Sequence, residues 1–355
     1  MLIKSKSISE LGKYEKAWNH ICKAESSPLL SLSWFRCCEN TFHVDSTCIL
    51  SVHENEADSS LLAGAVLNIR SNIFGTTCFE IAGTSILHEP SGVIFRDKLS
   101  LEQLIQGILD LNSPVIMSRI PCTLEIREIV KRLSPRKFLI MEKNTQGSQF
   151  LSLEASVQAF ESSLSSRRRS DLRRAWKKAQ SKGKATVNII KPAPETIQDT
   201  LSQAFEVENA GWKGKNSSSI LARPDLEEFF RCYLTEESHR NKLVVGFLQI
   251  DDQIVAMQIA VEHGGSLWLL KIGHCENYHN ISPGILLTHE MIKFAIESGL
   301  RKFEFLGSSE PWINLWNPET HQYKLCALYP WNISGIIHFT YNSFMRLANR
   351  IGNQK

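Results

Sequence analysis

A chain of 355 residues, 43% hydrophobic and 22% charged with a formal net charge of +3, is long enough to bury one large core or two smaller ones. That balance argues against disorder, and it gives no global positive field that would select nucleic acid. No apolar run reaches the roughly 18 residues of a spanning helix, and the start Met1-Leu-Ile-Lys-Ser-Lys-Ser lacks the apolar stretch of a signal peptide, so a cytoplasmic location is expected.

Ile8, Leu11, Tyr14, Trp18 and Ile21 share one helical face, and residues 32–42 read as a second short helix. Strand-like runs follow at 47–52, 61–69, 78–81 and 92–95, divided by polar or glycine-bearing turns. Residues 99–111 have a helical period, 114–120 the look of a buried strand, and 123–133 that of another helix. Residues 1–150 therefore form a first expected domain, and 151–355 a second.

The second half opens with a short strand at 150–153 and then the most biased segment of the chain. Between Ser166 and Lys184 lie nine Lys or Arg and one acid, Asp171. Leu172, Ala175, Trp176 and Ala179 fall on one stripe, so the segment is an amphipathic helix with a basic outer surface. That surface reads as a solvated face, as a platform for phosphate groups, or as a peripheral contact with an anionic membrane at its inner face. Nothing in it reads nucleic-acid sequence.

A strand at 186–190, helices at 194–212 and 224–237, and strands at 242–250, 254–262 and 266–272 come next. The turns Asp251-Asp252-Gln253 and His263-Gly264-Gly265 suit antiparallel hairpins. A helix at 283–298 follows, with a strand at 302–306, a Trp-rich loop, a strand pair near 323–329 and a helix from Ile336. Ser282-Pro283-Gly284 fixes the start of the 283–298 helix: Ser suits the cap, Pro the first helical position, and Gly a close approach to the backbone. Such a start aims unpaired N–H groups and the positive dipole end at one spot. Residues 282–287 are accordingly read as a grip for the diphosphate of an acyl-CoA, beside the simpler reading of a capped helix.

Four segments carry a family resemblance: Pro28-Leu-Leu-Ser-Leu-Ser-Trp-Phe, the basic helix 167–178, Glu208-Asn-Ala-Gly-Trp-Lys-Gly with residues 217–220, and Tyr278-His-Asn-Ile-Ser-Pro-Gly-Ile-Leu-Leu. In this order, with Phe303-Glu-Phe-Leu-Gly downstream, the chain resembles the FemAB-like branch of the GNAT superfamily, and within it acetyltransferases of the cellulose-biosynthesis CelD/BcsL type. The resemblance implies an α/β (α+β) GNAT fold, with two tandem GNAT-like domains in a FemAB-like arrangement. It further implies N-acyl transfer from acetyl-CoA or another acyl-CoA to an amino sugar or other precursor of surface polysaccharide. Two rivals are aminoacyl transfer from charged tRNA to a cell-wall precursor, and a degenerate module that only binds. Two positions depart from the pattern: the general phosphate signature with two glycines is reduced to Gly284, and Glu304 stands where relatives more often have Asp.

On that layout the backbone near Ile272 and Gly273 polarises the thioester carbonyl, while Ser282, Gly284, Ile285, Leu286 and Leu287 hold the donor. Glu208 is the expected general base, Glu304 a second candidate acid, and Tyr278 the proton donor to the thiolate. Trp212, Lys213 and Lys271 are candidate contacts to the acceptor, a small-molecule or lipid- or nucleotide-linked sugar. His274, His279 and His289 lack metal-ligand spacing with neighbouring acids, so no metal is expected.

Overall fold

The computed structural model describes residues 1–355 apart from 24–26, 43–45, 56–59, 72–74, 212–216, 308–309 and 353–355, and gives the backbone only for 23 and 346–352. The chain divides into two compact units, one of Met1–Gly147 with Gln322–Lys355 and one of Ser148–His321.

The first unit begins with β1 (Leu2–Ser5), α1 (Glu15–Lys23), α2 (Leu32–Thr41), β2 (Ser46–His53), β3 (Leu61–Ser71) and β4 (Thr77–Ile81). It continues through a single turn α3 (Thr84–Leu87), β5 (Ile94–Phe95), α4 (Lys98–Asp110), β6 (Val115–Pro121), α5 (Ile126–Leu133) and β7 (Phe138–Asn144). The second unit holds β8 (Ser148–Ser152), α6 (Val157–Ser163), α7 (Ser166–Gln180), β9 (Ala185–Ile190), α8 (Ile197–Asn209), α9 (Pro224–His239) and β10 (Leu243–Ile250). After these come β11 (Gln253–His263), β12 (Ser266–His274), α10 (Pro283–Glu297), β13 (Lys302–Leu306) and β14 (Glu319–His321). The chain then returns to the first unit as β15 (Tyr323–Pro330) and α11 (Ile333–Gly352).

Local chemistry fixes several of these boundaries. Asp97 accepts the Ser100 N–H while the Ser100 side chain reaches back, a capping box that starts α4, and Ser165 caps α7 through the Arg168 N–H. The β10–β11 and β11–β12 hairpins turn on left-handed residues, Asp251 in the first and Gly264 with Gly265 in the second.

The two sheets have one design. Their strand orders are β1-β2-β3-β4-β6-β15-β7 and β9-β10-β11-β12-β13-β8-β14. Each is an antiparallel meander whose last strand pairs in parallel with the strand beyond a crossover, β4 with β6 and β12 with β13. The sixth place is filled antiparallel by β15 in one unit and by β8 in the other.

This layout moves one expected boundary. Residues 322–355, assigned from sequence to the second domain, lie in the first unit, because β15 is paired on both edges, with β6 and with β7. Nor do β14 and β15 form a pair: β14 pairs with β8.

In the second unit one sheet face turns Leu267, Leu269, Phe303 and Phe305 onto Leu286, Leu287, Met291 and Ile292 of α10, with Phe160 and Leu172 closing the core. Burying side chains of this size contributes roughly 1.5–3 kcal/mol each. Gly246 lets α10 approach closely, since a Cβ there would stand 2.7 Å from the Met291 sulfur. Alternation along β13 sends Glu304, between Phe303 and Phe305, to the opposite sheet face, on which α8 packs against β11 and β12.

Candidate active site

The centre of the second unit is a place where two strands part. β12 and β13 pair only between Ser266–Trp268 and Lys302–Glu304, yet β12 runs on to His274. On its other edge β12 carries a bulge: Leu269 stands opposite Ala260 and Lys271 opposite Ile259, which leaves Leu270 without a counterpart. The extra residue resets the alternation. Past it, Lys271 and Gly273 turn toward the helices α8 and α9, while Ile272 and His274 turn toward α10.

Contacts confirm that assignment of faces. The Lys271 ammonium lies 4.6 Å from the ring centroid of Phe230 on α9, a cation–π contact. Gly273 packs against the Glu208 backbone, where an added Cβ would stand 2.6 Å from Cα. His274, on the other side, comes within 3.9 Å of a Cβ built on Gly284.

A cavity of about 240 Å³ opens where α10 begins, lined by Gln258, Ile272, Gly273, Ser282, Gly284 and Trp312 among others. Ile285 lines it too, but Leu286 and Leu287 do not. Both leucines are fully buried in the core, because a helical period that points Gly284 and Ile285 at the cavity carries the next two residues onto the sheet. Of the expected grip of 282–287, Ser282, Pro283, Gly284 and Ile285 line the cavity.

Ser282 does not cap α10 as its type suggests. It sits in the left-handed region at φ 53°, its side chain makes no cap bond, and its carbonyl instead accepts the Ile285 and Leu286 N–H groups at 3.0 and 3.2 Å. Pro283 has no N–H to offer. Among the described residues the Gly284 N–H has no acceptor, so it is the first-turn amide left to the cavity.

Gln258 was not singled out by sequence reasoning, although it interrupts the apolar run of β11 and that was its signal. It is 1% exposed, and its Nε2 donates to Thr288 Oγ1 at 2.6 Å and reaches Gly284 O at 3.5 Å. Thr288 Oγ1 donates in turn to Gly284 O at 2.8 Å. These bonds fix the first turn of α10 to β11. With Nε2 so engaged, Gln258 Oε1 is a buried acceptor without a hydrogen-bond partner among the described residues. Trp312 closes one wall, held by its own Nε1 donating to Glu310 at 2.7 Å and by an edge contact with Phe305.

The expected acid–base residues separate. Glu208 is 2% exposed, and its Oε2 accepts the Ile220 N–H at 2.9 Å, tying the loop before α9 to α8. Tyr278 donates its hydroxyl to Gln253 Oε1 at 2.9 Å, at the β10–β11 turn, and does not line the cavity. Glu304 is 2% exposed, and both its oxygens face His321 Nε2, at 3.2 and 3.1 Å. The half-exposed His321 ring stacks on Phe150 at 4.1 Å. A buried carboxylate that orients a half-exposed imidazole is an arrangement suited to proton transfer. No sequence pattern joined Glu304 to His321, which lies beyond the Trp-rich loop.

Trp212 and Lys213 lie outside the described residues. In the Trp-rich loop, Trp312 walls the cavity and Trp316 is buried against Phe160 and His289. Next to the cavity, burial pushes the Cys275 thiol up, so it stays neutral and is a poor nucleophile.

Residues 166–314 match a family described as an acetyltransferase (GNAT) domain. FemX is similar in structure at a TM-score of 0.64 and 11% identity, over 92% of this chain and 98% of that one. The C-terminal domain of a proposed lysylphosphatidylglycerol synthetase from Agrobacterium fabrum is similar at 0.58 and 11%, over 90% and 92%. A protein of unknown function from Bacteroides thetaiotaomicron is similar at 0.57 and 13%, over 92% and 99%. At such identities the likeness is one of fold, and it spans both units. No curated protein matches the sequence. Residues 166–314 are therefore a GNAT acetyltransferase domain within a tandem GNAT-like fold, and the protein is an acyltransferase.

Proposed function

We propose that the second unit transfers an acyl group from acyl-CoA, acetyl-CoA in the first instance, to an amino group on a sugar or other precursor of surface polysaccharide. The observation that carries the donor half of this reading is the parting of β12 from β13 directly beside the cavity at the start of α10. The acceptor half follows from the resemblance to CelD/BcsL-type acetyltransferases.

The residues present fit such a donor. Gly284 offers an amide and no side chain at the helix start, and Gln258 offers a buried acceptor oxygen to an amide N–H. Ile272 and Trp312 give apolar walls. When bound, acyl-CoA supplies an electrophilic thioester carbonyl. The backbone of β12 at Ile272 and Gly273 polarises it, on the edge that β13 has left. The acceptor approaches from the α8 face, where Lys271 and Glu304 stand, and the Glu304–His321 pair takes the proton of the attacking amine as the new C–N bond forms; the thioester C–S bond then breaks, and CoA leaves as a thiolate that takes up a proton from water.

Thermal melting of the full chain with acetyl-CoA, with CoA and with longer acyl-CoAs tests the donor. Binding at a hundredfold excess over Kd stabilises by about 2.7 kcal/mol. If millimolar concentrations of every CoA species leave the melting temperature unmoved, the donor reading is wrong. A second reading, aminoacyl-tRNA as donor, is favoured by α7, whose Arg167, Arg173, Arg174, Lys177 and Lys178 are exposed. It would be supported by a shift in melting with charged tRNA and none with CoA.

A further inference from the structure

His321 ends β14, a strand of three residues at the edge of the second sheet, so among the described residues its strand pairs with β8 alone. Its Nε2 faces both oxygens of the Glu304 carboxylate, which can only accept, and this keeps the ring proton on Nε2. That makes Nδ1 the basic atom. One anchored nitrogen does not set the plane of the ring, because the last torsion of a histidine side chain is broad. Where Nδ1 points therefore depends on what else touches the imidazole.

Phe150 supplies that contact. It lies in the middle of β8, which is paired on both edges, Phe150 standing opposite Glu304 of β13 and Glu319 of β14, so its backbone is fixed. Leu151 turns to the core, which sends Phe150 to the face that carries Glu304. The His321 imidazole lies on the Phe150 ring with 4.1 Å between centroids and 18° between planes, and the Lys302 ammonium stands 5.2 Å from the same phenyl centroid. Lys302 pairs with Ser152 and His321 with Ser148, so the two reach Phe150 from opposite ends of the strand. An ammonium drawn to the negative face of the ring holds the phenyl group in place while the imidazole stacks on it. We propose that Phe150, steadied by Lys302, is a positioning residue that holds the His321 ring on Glu304 and so aims Nδ1 as the proton acceptor.

The proposal rests on the acyl-transfer reading of Glu304 and His321, but its first test needs neither donor nor acceptor. Nitrogen-15 spectra of the histidine side chains in the full chain, taken in mildly alkaline buffer, report the tautomer of each ring, with His321 assigned by its disappearance in H321N. The parent is expected to show His321 as the Nε2–H tautomer alone, and F150L a mixture of both. F150Y, which keeps a ring, should restore the single tautomer. F150I takes the place of F150L should F150L fail to fold. Turnover is then followed as thiol release from acetyl-CoA with glucosamine as the acceptor probe. F150L should be slower by up to about a hundredfold at an unchanged KM for acetyl-CoA. It should cost nothing further in H321N, because its effect passes through that ring. Should glucosamine not be turned over, the tautomer alone decides. The proposal is overturned if F150L keeps the single tautomer, or if it slows H321N by the same factor as the parent. Full turnover in H321N with a mixed tautomer in F150L would remove the base reading and leave the positioning of the ring standing.

Discussion

Gly273 on β12 lies directly under Glu208 on α8: a Cβ at position 273 would fall 2.6 Å from the Glu208 Cα and 3.0 Å from its Cβ. The neighbour is helix backbone, which cannot rotate aside as a long side chain can. Gly273→Ala must therefore push the splayed end of β12 away from α8. Overpacking of this kind costs about 1–3 kcal/mol, to be read from urea unfolding. Turnover should fall further than stability does, because the displaced strand is the one proposed to polarise the thioester.

Glu208 itself is expected to act by holding structure. Its buried carboxylate receives the Ile220 N–H, which fixes the segment leading into α9. Glu208→Ala leaves that buried donor unsatisfied, at a cost of about 1–3 kcal/mol. Glu208→Gln keeps an acceptor oxygen and should retain turnover to within a few-fold. A loss of kcat in Glu208→Gln at unchanged stability would restore Glu208 as the base.

Glu304 and His321 are expected to behave as one unit. Removing a positioned general base lowers kcat by about 10²–10⁴, and Glu304→Gln and His321→Asn should each fall in that range while acetyl-CoA still raises the melting temperature. The double variant should be no slower than the worse single one, because the two side chains share one proton path. Additive losses would show that the two act separately.

The elements that build the site were legible where local pattern decides them. Three strands with short hairpins, then a helix opened by Ser282-Pro283-Gly284 and a strand around Glu304, follow from period and turn chemistry alone. What escaped depends on contacts distant in sequence. The placing of β15 in the first unit rests on pairing with β6 and β7, which no periodicity reports. The Glu304–His321 pair forms because β13 and β14 both pair with β8. The Ser282 side chain failed as a cap because its backbone turns left-handed after the 3-10 turn Glu276–Ile281, a choice set by how that turn ends and not by residue type. Leu286 and Leu287 were misread for a simpler reason. A motif of consecutive residues was carried onto a helix, where consecutive residues face different ways.

Gly284 gives the sharpest test of the donor site. Its backbone is not in the left-handed region, and the single neighbour a Cβ would meet is His274 Nδ1 at 3.9 Å, an ordinary contact distance. A larger side chain there has room to extend, and the room it takes is the cavity. Gly284→Ala should fold, bind acetyl-CoA and turn over. Gly284→Leu should also fold, since helix propensity favours Leu over Gly by roughly half to one kcal/mol, but it should lose the thermal stabilisation by acetyl-CoA. At a hundredfold excess over the parent Kd, that lost stabilisation is about 2.7 kcal/mol. Retained binding in Gly284→Leu would place the donor elsewhere, and the amide at the start of α10 would then be only a helix end.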